Sequence, residues 1–355
     1  MKVVRIILLI INIIAALAWV ATTLAGTFAP STSIWPSLLA YMAIPALAVN
    51  LLFVLLWLLM RRWYCLLSVA AIAVRYTFLG LFFQIGGASS FAADGKDAGT
   101  LQLLSFNVHQ FGGAGIESRP TDSIADAFLS LIREERPDVL CLQEFSRPKG
   151  VHVVDSLMLM GYNHFFSSAG STHAPAGTTV FSKLPFTYVK KIDQQKVMVE
   201  MLLGERRMRL CCIHMGSYSF DNEDREDIAQ LRHGMIDSTS QRTLSKVKQT
   251  ILYHEKEWNE QLRPLLAECS TPVVVAGDMN DIPGSWLYSR FAELLHDTYC
   301  DEGSGFGATY NGHFPRFRID MVWRSEHFST CAYRRIRTAI SDHHPVAVTL
   351  QLQEP

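Results

Sequence analysis

Residues 273–280 read Val-Val-Val-Ala-Gly-Asp-Met-Asn, an apolar β-branched run that stops abruptly on Gly277, Asp278 and Asn280. Its length and composition predict a buried strand with polar chemistry at its downstream end. The same pattern recurs along the chain. Ser105-Phe106-Asn107-Val108-His109 closes one apolar run, Leu140-Cys141-Leu142-Gln143-Glu144 closes another, and Cys212-Ile213-His214 ends a third. Arg318-Ile319-Asp320 opens a further run, and Ser341-Asp342-His343-His344-Pro345 leads into the last. Polar groups at the downstream ends of strands mark the edge where an α/β sheet opens its binding crevice.

Working outward, strands are expected at 101–108, 138–143, 178–181, 197–203, 208–214, 273–276, 318–323 and 346–352. A helix is expected at 121–136, with Ile124, Phe128, Leu131 and Ile132 on one face and Thr121 or Asp122 as cap. Others are expected at 244–262 and 286–295. Several strands follow one another with no helix between them. That order predicts an α/β sandwich, two mixed β-sheets packed face to face with helices outside.

The first 85 residues are different. They hold five basic side chains (Lys2, Arg5, Arg61, Arg62, Arg75) and no Asp or Glu, in a chain of 355 residues that is 49% hydrophobic. Apolar stretches at 3–24, 38–60 and 63–85 are each long enough for a helix to cross ~30 Å of hydrocarbon, so three transmembrane helices are expected. The Lys2/Arg5 start also fits a signal peptide, with small residues near Ala25, but two further apolar stretches favour retained anchors. Arg61-Arg62 sit in the short turn between the second and third stretches. By the positive-inside tendency that turn and the N-terminus stay cytoplasmic, which places the rest outside. The expected location is a bacterial inner or plasma membrane, with the second domain periplasmic or extracellular. Arg75, in mid-stretch, is read as packed and hydrogen-bonded, or as a lipid-headgroup site. The domain plan is thus 1–85 anchor, 86–100 Gly/Ser/Ala-rich tether and 101–355 globular domain.

That remainder carries 27 Lys+Arg against 33 Asp+Glu, a formal charge of −6, so a polyanionic substrate needs local basic groups or a metal. Seven scattered cysteines show neither zinc-ligand spacing nor a disulfide framework.

The polar groups suit one kind of chemistry. Asn107, Glu144 and Asp342 offer hard oxygen ligands, which fit Mg2+, or Mn2+, better than a soft metal. Asp278, Asn280, His214 and His343 add a base or orienter for water, donors for phosphoryl oxygens and an acid for the leaving group. Asp320 would hold one imidazole in its working tautomer. Phe-Asn-Val, Leu-Gln-Glu, Ile-His, Gly-Asp-Met-Asn-Asp, Arg-Ile-Asp and Ser-Asp-His-His-Pro, in that order, resemble the endonuclease/exonuclease/phosphatase (deoxyribonuclease-I-like) superfamily over about 101–352.

The resemblance implies a four-layered α/β sandwich and metal-assisted cleavage of phosphate esters. By position it implies Glu144 as the principal metal carboxylate and Asn107 as its partner. Asp278 corresponds to the residue that orients or deprotonates water, and Asn280 to the phosphate-holding amide. Asp342 corresponds to the acid beside the catalytic histidine, sometimes assigned to a second metal, His343 to that histidine, Asp320 to its support, and His214 to the second histidine. One metal or two, and which group is the acid, stay open.

Other residues take plainer readings. Arg316 and Arg318, just before Asp320, are candidates for substrate phosphate. Asp281 is read as a turn cap, His344 as packing, and His109 and Gln143 as support or scaffold. Arg206, Arg207 and Arg209, like Arg334, Arg335 and Arg337, are read as solvated strand faces. Gly177 to Pro185 matches a structural strand of the same family. The implied partners are a phosphate-ester substrate (nucleic acid, phospholipid or small phosphoester) and the lipid bilayer, with no obligate protein partner. The rival reading is a catalytically degenerate, membrane-tethered binding module.

Overall fold

The computed structural model describes residues 2–87, 99–112, 121–146, 153–169, 176–218, 238–267, 271–312 and 316–353. Most of the tether expected at 86–100 and the acidic insertion at 221–227 lie outside them.

The apolar N-terminal unit contains α1 (Lys2–Thr22), α2 (Ile34–Ala40), α3 (Ala43–Leu59) and α4 (Cys65–Val74). Among the described residues only α1 is by itself long and apolar enough to cross a membrane. α2 and α3 are bent by 60° at the break between them and make a second span only if taken together. The expectation of three spanning helices is therefore corrected. Pro45 cannot accommodate the carbonyl of Tyr41 in a continuous helix, so the second stretch breaks there. The third stretch ends its helix at Arg75, whose guanidinium binds the Thr23 carbonyl at 2.8 Å, so this arginine is packed and hydrogen-bonded.

The three longest of these helices are joined by buried polar groups. Asn12 donates to Ser68, Ser68 to Asn50 and Trp57 to Asn12, while Asn50 also donates to the Ala15 carbonyl. Pairing of residue 12 with 57 and of 15 with 50 makes α1 and α3 antiparallel. Such bonds hold apolar helices together where the hydrophobic effect between them is weak.

In chain order the strands are β1 (Phe83–Gln84), β2 (Thr100–Asn107), β3 (Val139–Phe145), β4 (His164–Ser167), β5 (Gly177–Ser182), β6 (Phe186–Lys191) and β7 (Lys196–Leu203). They continue as β8 (Arg206–His214), β9 (Val273–Asp278), β10 (His296–Asp297), β11 (Gly305–Phe306), β12 (Asp320–Arg324), β13 (Phe328–Arg335) and β14 (Val346–Leu352). Among the described residues they form two mixed six-stranded sheets, ordered β13-β14-β2-β3-β5-β4 and β10-β12-β9-β8-β7-β6, and a β1-β11 pair. Leu103, Val139, Val199, Leu210, Val274 and Val348 meet between the sheets in a fully buried core. Helix α5 (Thr121–Glu135) covers one outer face through Ile124, Phe128 and Ile132; Trp258 and α7 (Trp286–Ala292) cover the other. A further helix, α6 (Ser238–Glu257), is tied through His254 to the loops after β8 and β9. This is the α/β sandwich expected from the strand pattern.

Each sheet contains one parallel pair, β2-β3 and β8-β9, and their downstream ends carry Asn107, Glu144, His214 and Asp278. Gly277 permits the second pair to close. At φ +153° it sits beside Ile213, and a Cβ there would lie 1.8 Å from the Ile213 carbonyl oxygen. Gly277→Ala is expected to cost more than ~3 kcal/mol through overpacking and backbone strain. Thermal unfolding of the purified full chain measures this, and a loss below ~1 kcal/mol would contradict it.

Candidate active site

Four strand ends and two loops converge on the Asp278 carboxylate, which is 1% exposed. Its Oδ2 accepts from Asn107 Nδ2 at 3.1 Å and lies 3.7 Å from both His214 Nε2 and His343 Nε2. Its Oδ1 accepts the Asn280 backbone N–H at 2.8 Å. Asn107 Nδ2 also reaches Glu144 Oε1 at 3.1 Å, so one amide bridges two carboxylates. His109 joins the same group, with Nδ1 3.7 Å from Glu144 Oε2 and 3.4 Å from Asp342 Oδ1. Glu144 and Asp342 are partly open to solvent, whereas Asp278 and Asp320 are closed off.

Each histidine is oriented through its other nitrogen. His343 Nδ1 is 2.9 Å from Asp320 Oδ2, and His214 Nδ1 is 3.2 Å from Gln195 Oε1. Antiparallel pairing of β12 with β9 sets Asp320 directly opposite Asp278. Ser341 Oγ accepts from the His343 backbone and donates to the Asn107 carbonyl, locking the last loop to the first strand. The Tyr310 ring packs edge-on against His343 at 5.4 Å.

Electrostatics follow from this crowding. Burial, and then Asp320 beside it, raise the Asp278 carboxyl above its ordinary range, with His343 and His214 opposing. Burial pulls the His343 imidazole down, but Asp320, Asp278 and the hydrogen bond to Asp320 outweigh it and lift its pKa to about 10. His344 goes the other way, to about 4, through burial and the nearby Arg335, Arg337 and Arg316. Backbone strain gathers here too: His109, Gln110, Phe111, Glu144 and Asn280 all have positive φ.

The structure brings Asn107, Glu144, His214, Asp278, Asn280, Asp320, Asp342 and His343 to one edge. Arg318 is excluded from it. Buried at 5% exposure, it ion-pairs with Asp297 at 2.7 Å, donates to the Leu81 carbonyl and lies over the Tyr299 ring, so the expected phosphate contact is replaced by a structural one. Arg316 is exposed near His344, and no described contact ties it to the pocket carboxylates.

Asp278, Asp320 and His343 form a group of ligand atoms within 4.8 Å of one another that could hold a metal ion. His343 Nδ1 is already engaged by Asp320, however, which suits this trio to proton handling. The partly open hard oxygens of Glu144 and Asp342, beside Asn107, are the better match to a divalent cation. Among the described residues no Lys or Arg pairs with Glu144, Asp278, Asp320 or Asp342; the basic side chains nearest them are His109, His214 and His343.

A second His–Asp pair lies behind the pocket. His254, on α6, is 1% exposed; its Nε2 bonds the Gly216 carbonyl at 2.7 Å, and Nδ1 faces Asp281 Oδ2 at 3.5 Å, an ion-pair distance. The Gly216 N–H donates to Glu257, which is ion-paired with the buried Lys196. Asp281 does accept from the next backbone N–H, as a turn cap would, yet it also anchors this pair.

A model of the Endonuclease/Exonuclease/phosphatase family matches residues 104–343, and a Domain of unknown function (DUF8431) matches residues 5–82. Among solved structures, an endonuclease/exonuclease/phosphatase from Beutenbergia cavernae DSM 12333 is 21% identical over 72% of each chain, with a TM-score of 0.48. The human Nocturnin catalytic domain is 18% identical over 72% of this chain and 95% of its own, also at 0.48. A family protein from Leptotrichia buccalis C-1013-b is 14% identical over 71% of this chain and 100% of its own, at 0.46. Comparison with curated proteins finds no match.

His254 gives a pH test of the packing behind the pocket. Burial lowers its pKa, but Asp281 and the Gly216 carbonyl more than offset this, so the folded value lies above the ordinary 6.5. A group whose pKa is raised on folding contributes its full stabilisation below the unfolded value and loses it as pH rises through the folded one. The Tm difference between wild type and His254→Gln is therefore expected to be larger at pH 6 than at pH 9, by roughly 2–4 °C per ~1 kcal/mol. A difference that stays constant or grows with pH would contradict it.

Proposed function

The chain belongs to the endonuclease/exonuclease/phosphatase family, a family of hydrolases acting on ester bonds, and on that premise we propose that it is a membrane-anchored, Mg2+-dependent phosphoesterase. The observation that carries the reading is the convergence of Glu144 and Asp278 on one Asn107 amide, with two oriented histidines opposite. Glu144, with Asp342 nearby and Asn107 through its Oδ1, the atom that accepts the His109 N–H at 3.0 Å, would hold the ion, and Mn2+ is the alternative occupant. When bound, the cation neutralises charge on the phosphoryl oxygens.

The chain's own groups do the rest. Asp278 orients and deprotonates the attacking water, which approaches phosphorus opposite the leaving oxygen. Asp320 holds the His343 ring so that its Nε2 faces Asp278 across a 3.7 Å gap, close enough to meet a shared phosphoryl group. His214, held by Gln195, donates to a phosphoryl oxygen or to the leaving group. Asn280 ties one amide proton to the Met215 carbonyl at 2.9 Å and keeps the other for phosphate. No covalent enzyme intermediate is required.

The N-terminal unit supplies attachment to a bilayer. α1 and α3 present exposed apolar side chains such as Ile7, Ile14, Leu52 and Leu55, and their antiparallel packing sets Lys2 and Arg5 near Arg61 and Arg62 at one end. The catalytic domain joins the opposite end, which by the positive-inside tendency is the outer side. The substrate is a phosphate ester, with nucleic acid, phospholipid and small phosphoesters as the classes to be screened.

Washed membranes and purified full chain are expected to hydrolyse bis-p-nitrophenyl phosphate with Mg2+, to stop in EDTA and to recover with added metal. Asp278→Asn is expected to lower kcat by ~10²–10⁴-fold. Full turnover in EDTA, or from Glu144→Ala, would overturn the reading.

A further inference from the structure

Tyr41 lies between α2 and α3, in the apolar unit, yet its hydroxyl donates to Asp281 Oδ1 at 3.1 Å and bonds the Tyr218 hydroxyl. Those partners belong to two different loops of the catalytic domain. One follows His214 and contains Met215, Gly216 and Tyr218. The other follows Asp278 and contains Asn280, Asp281 and Ile282. His254 bridges the same two loops from the other side, through Gly216 and Asp281.

Between these two staples sits Asn280. Its side chain reaches across to the Met215 carbonyl and its backbone to Asp278, and it is held at φ +45°, a conformation that persists only where surroundings enforce it. The ring of Tyr41 also packs edge-on against Tyr218 and Phe317. Ala25 and Ala40 of the apolar unit share a small core with Ile282, and Ser31 makes two 2.7 Å bonds to the Glu255 carboxylate of α6. The apolar unit is thus docked on both loops that set Asn280.

We propose that Tyr41 is a positioning residue for the active site, and that docking of the N-terminal unit fixes the Asn280 carboxamide in addition to any membrane attachment. The role in turnover rests on the phosphoesterase reading; the positional coupling does not. Tyr41→Phe removes one hydroxyl and keeps the ring packing, so it isolates the staple from the fold.

In the full chain, Tyr41→Phe is expected to lower kcat about tenfold with KM within about twofold, as displaced catalytic groups do. In an Asn280→Ala background the same change is expected to alter kcat less than about twofold, because the group it acts through is gone. Hydrogen exchange should quicken at the Met279–Ile282 amides and stay unchanged in β2 and β3. A full-rate Tyr41→Phe enzyme, or an equal loss in both backgrounds, overturns the proposal and leaves the hydrolase reading intact. If wild type hydrolyses no phosphoester, that reading fails separately. Unaltered exchange at 279–282 then still overturns the positioning role, and faster exchange supports it.

Discussion

A carboxylate buried from water must be compensated, and Asp278 is compensated from every side. Asn107 comes from the first parallel pair, His214 from the second, His343 from the final loop, and the Asn280 N–H from its own turn. Leaving such a charge unpaired costs several kcal/mol, so the two sheets must meet in the one arrangement that brings these partners together. Gly277, the strained backbone at Glu144 and the Ser341 lock all serve that meeting. The surplus negative charge at Glu144 and Asp342 is what makes the edge a candidate cation site and not merely a satisfied core.

The apolar N-terminal unit is joined to the β-sandwich by specific bonds. β1 pairs with β11, Arg318 and Tyr299 bind carbonyls at Leu81 and Phe82, and Arg290 binds the Gly26 carbonyl. At the loop after Asp278 itself, Ile282 packs with Ala25 and Ala40, and Phe78 lies against Gly284. The loop after Asp278 thus lies in contact with both the polar edge and the apolar unit.

Much of this was legible in the sequence because strand ends and buried runs are local signals. β2, β3, β8, β9 and β14 lie where their apolar residues place them, and their terminal polar groups meet. The edge strands β4 and β6 were not foreseen, since their residues are half-buried or exposed and make no apolar run. Arg318 misled because nearness in sequence to Asp320 says nothing of Asp297, which captures it from another element. The His254–Asp281 pair and Tyr41 were invisible for the same reason: only folding brings an α6 histidine, a loop acid and an N-terminal tyrosine together. Hydropathy likewise registered three apolar stretches but not the break imposed by Pro45 or the one at Arg75.

If Glu144, Asn107 and Asp342 form a cation-binding edge beside the Asp278 base, crystals of the full chain soaked in Mn2+ reveal it most directly through anomalous scattering. A strong peak beside Glu144, with oxygens of Asn107 and Asp342 turned toward it, is expected. A peak confined to the Asp320 side of His343, or no peak at millimolar metal, would contradict it.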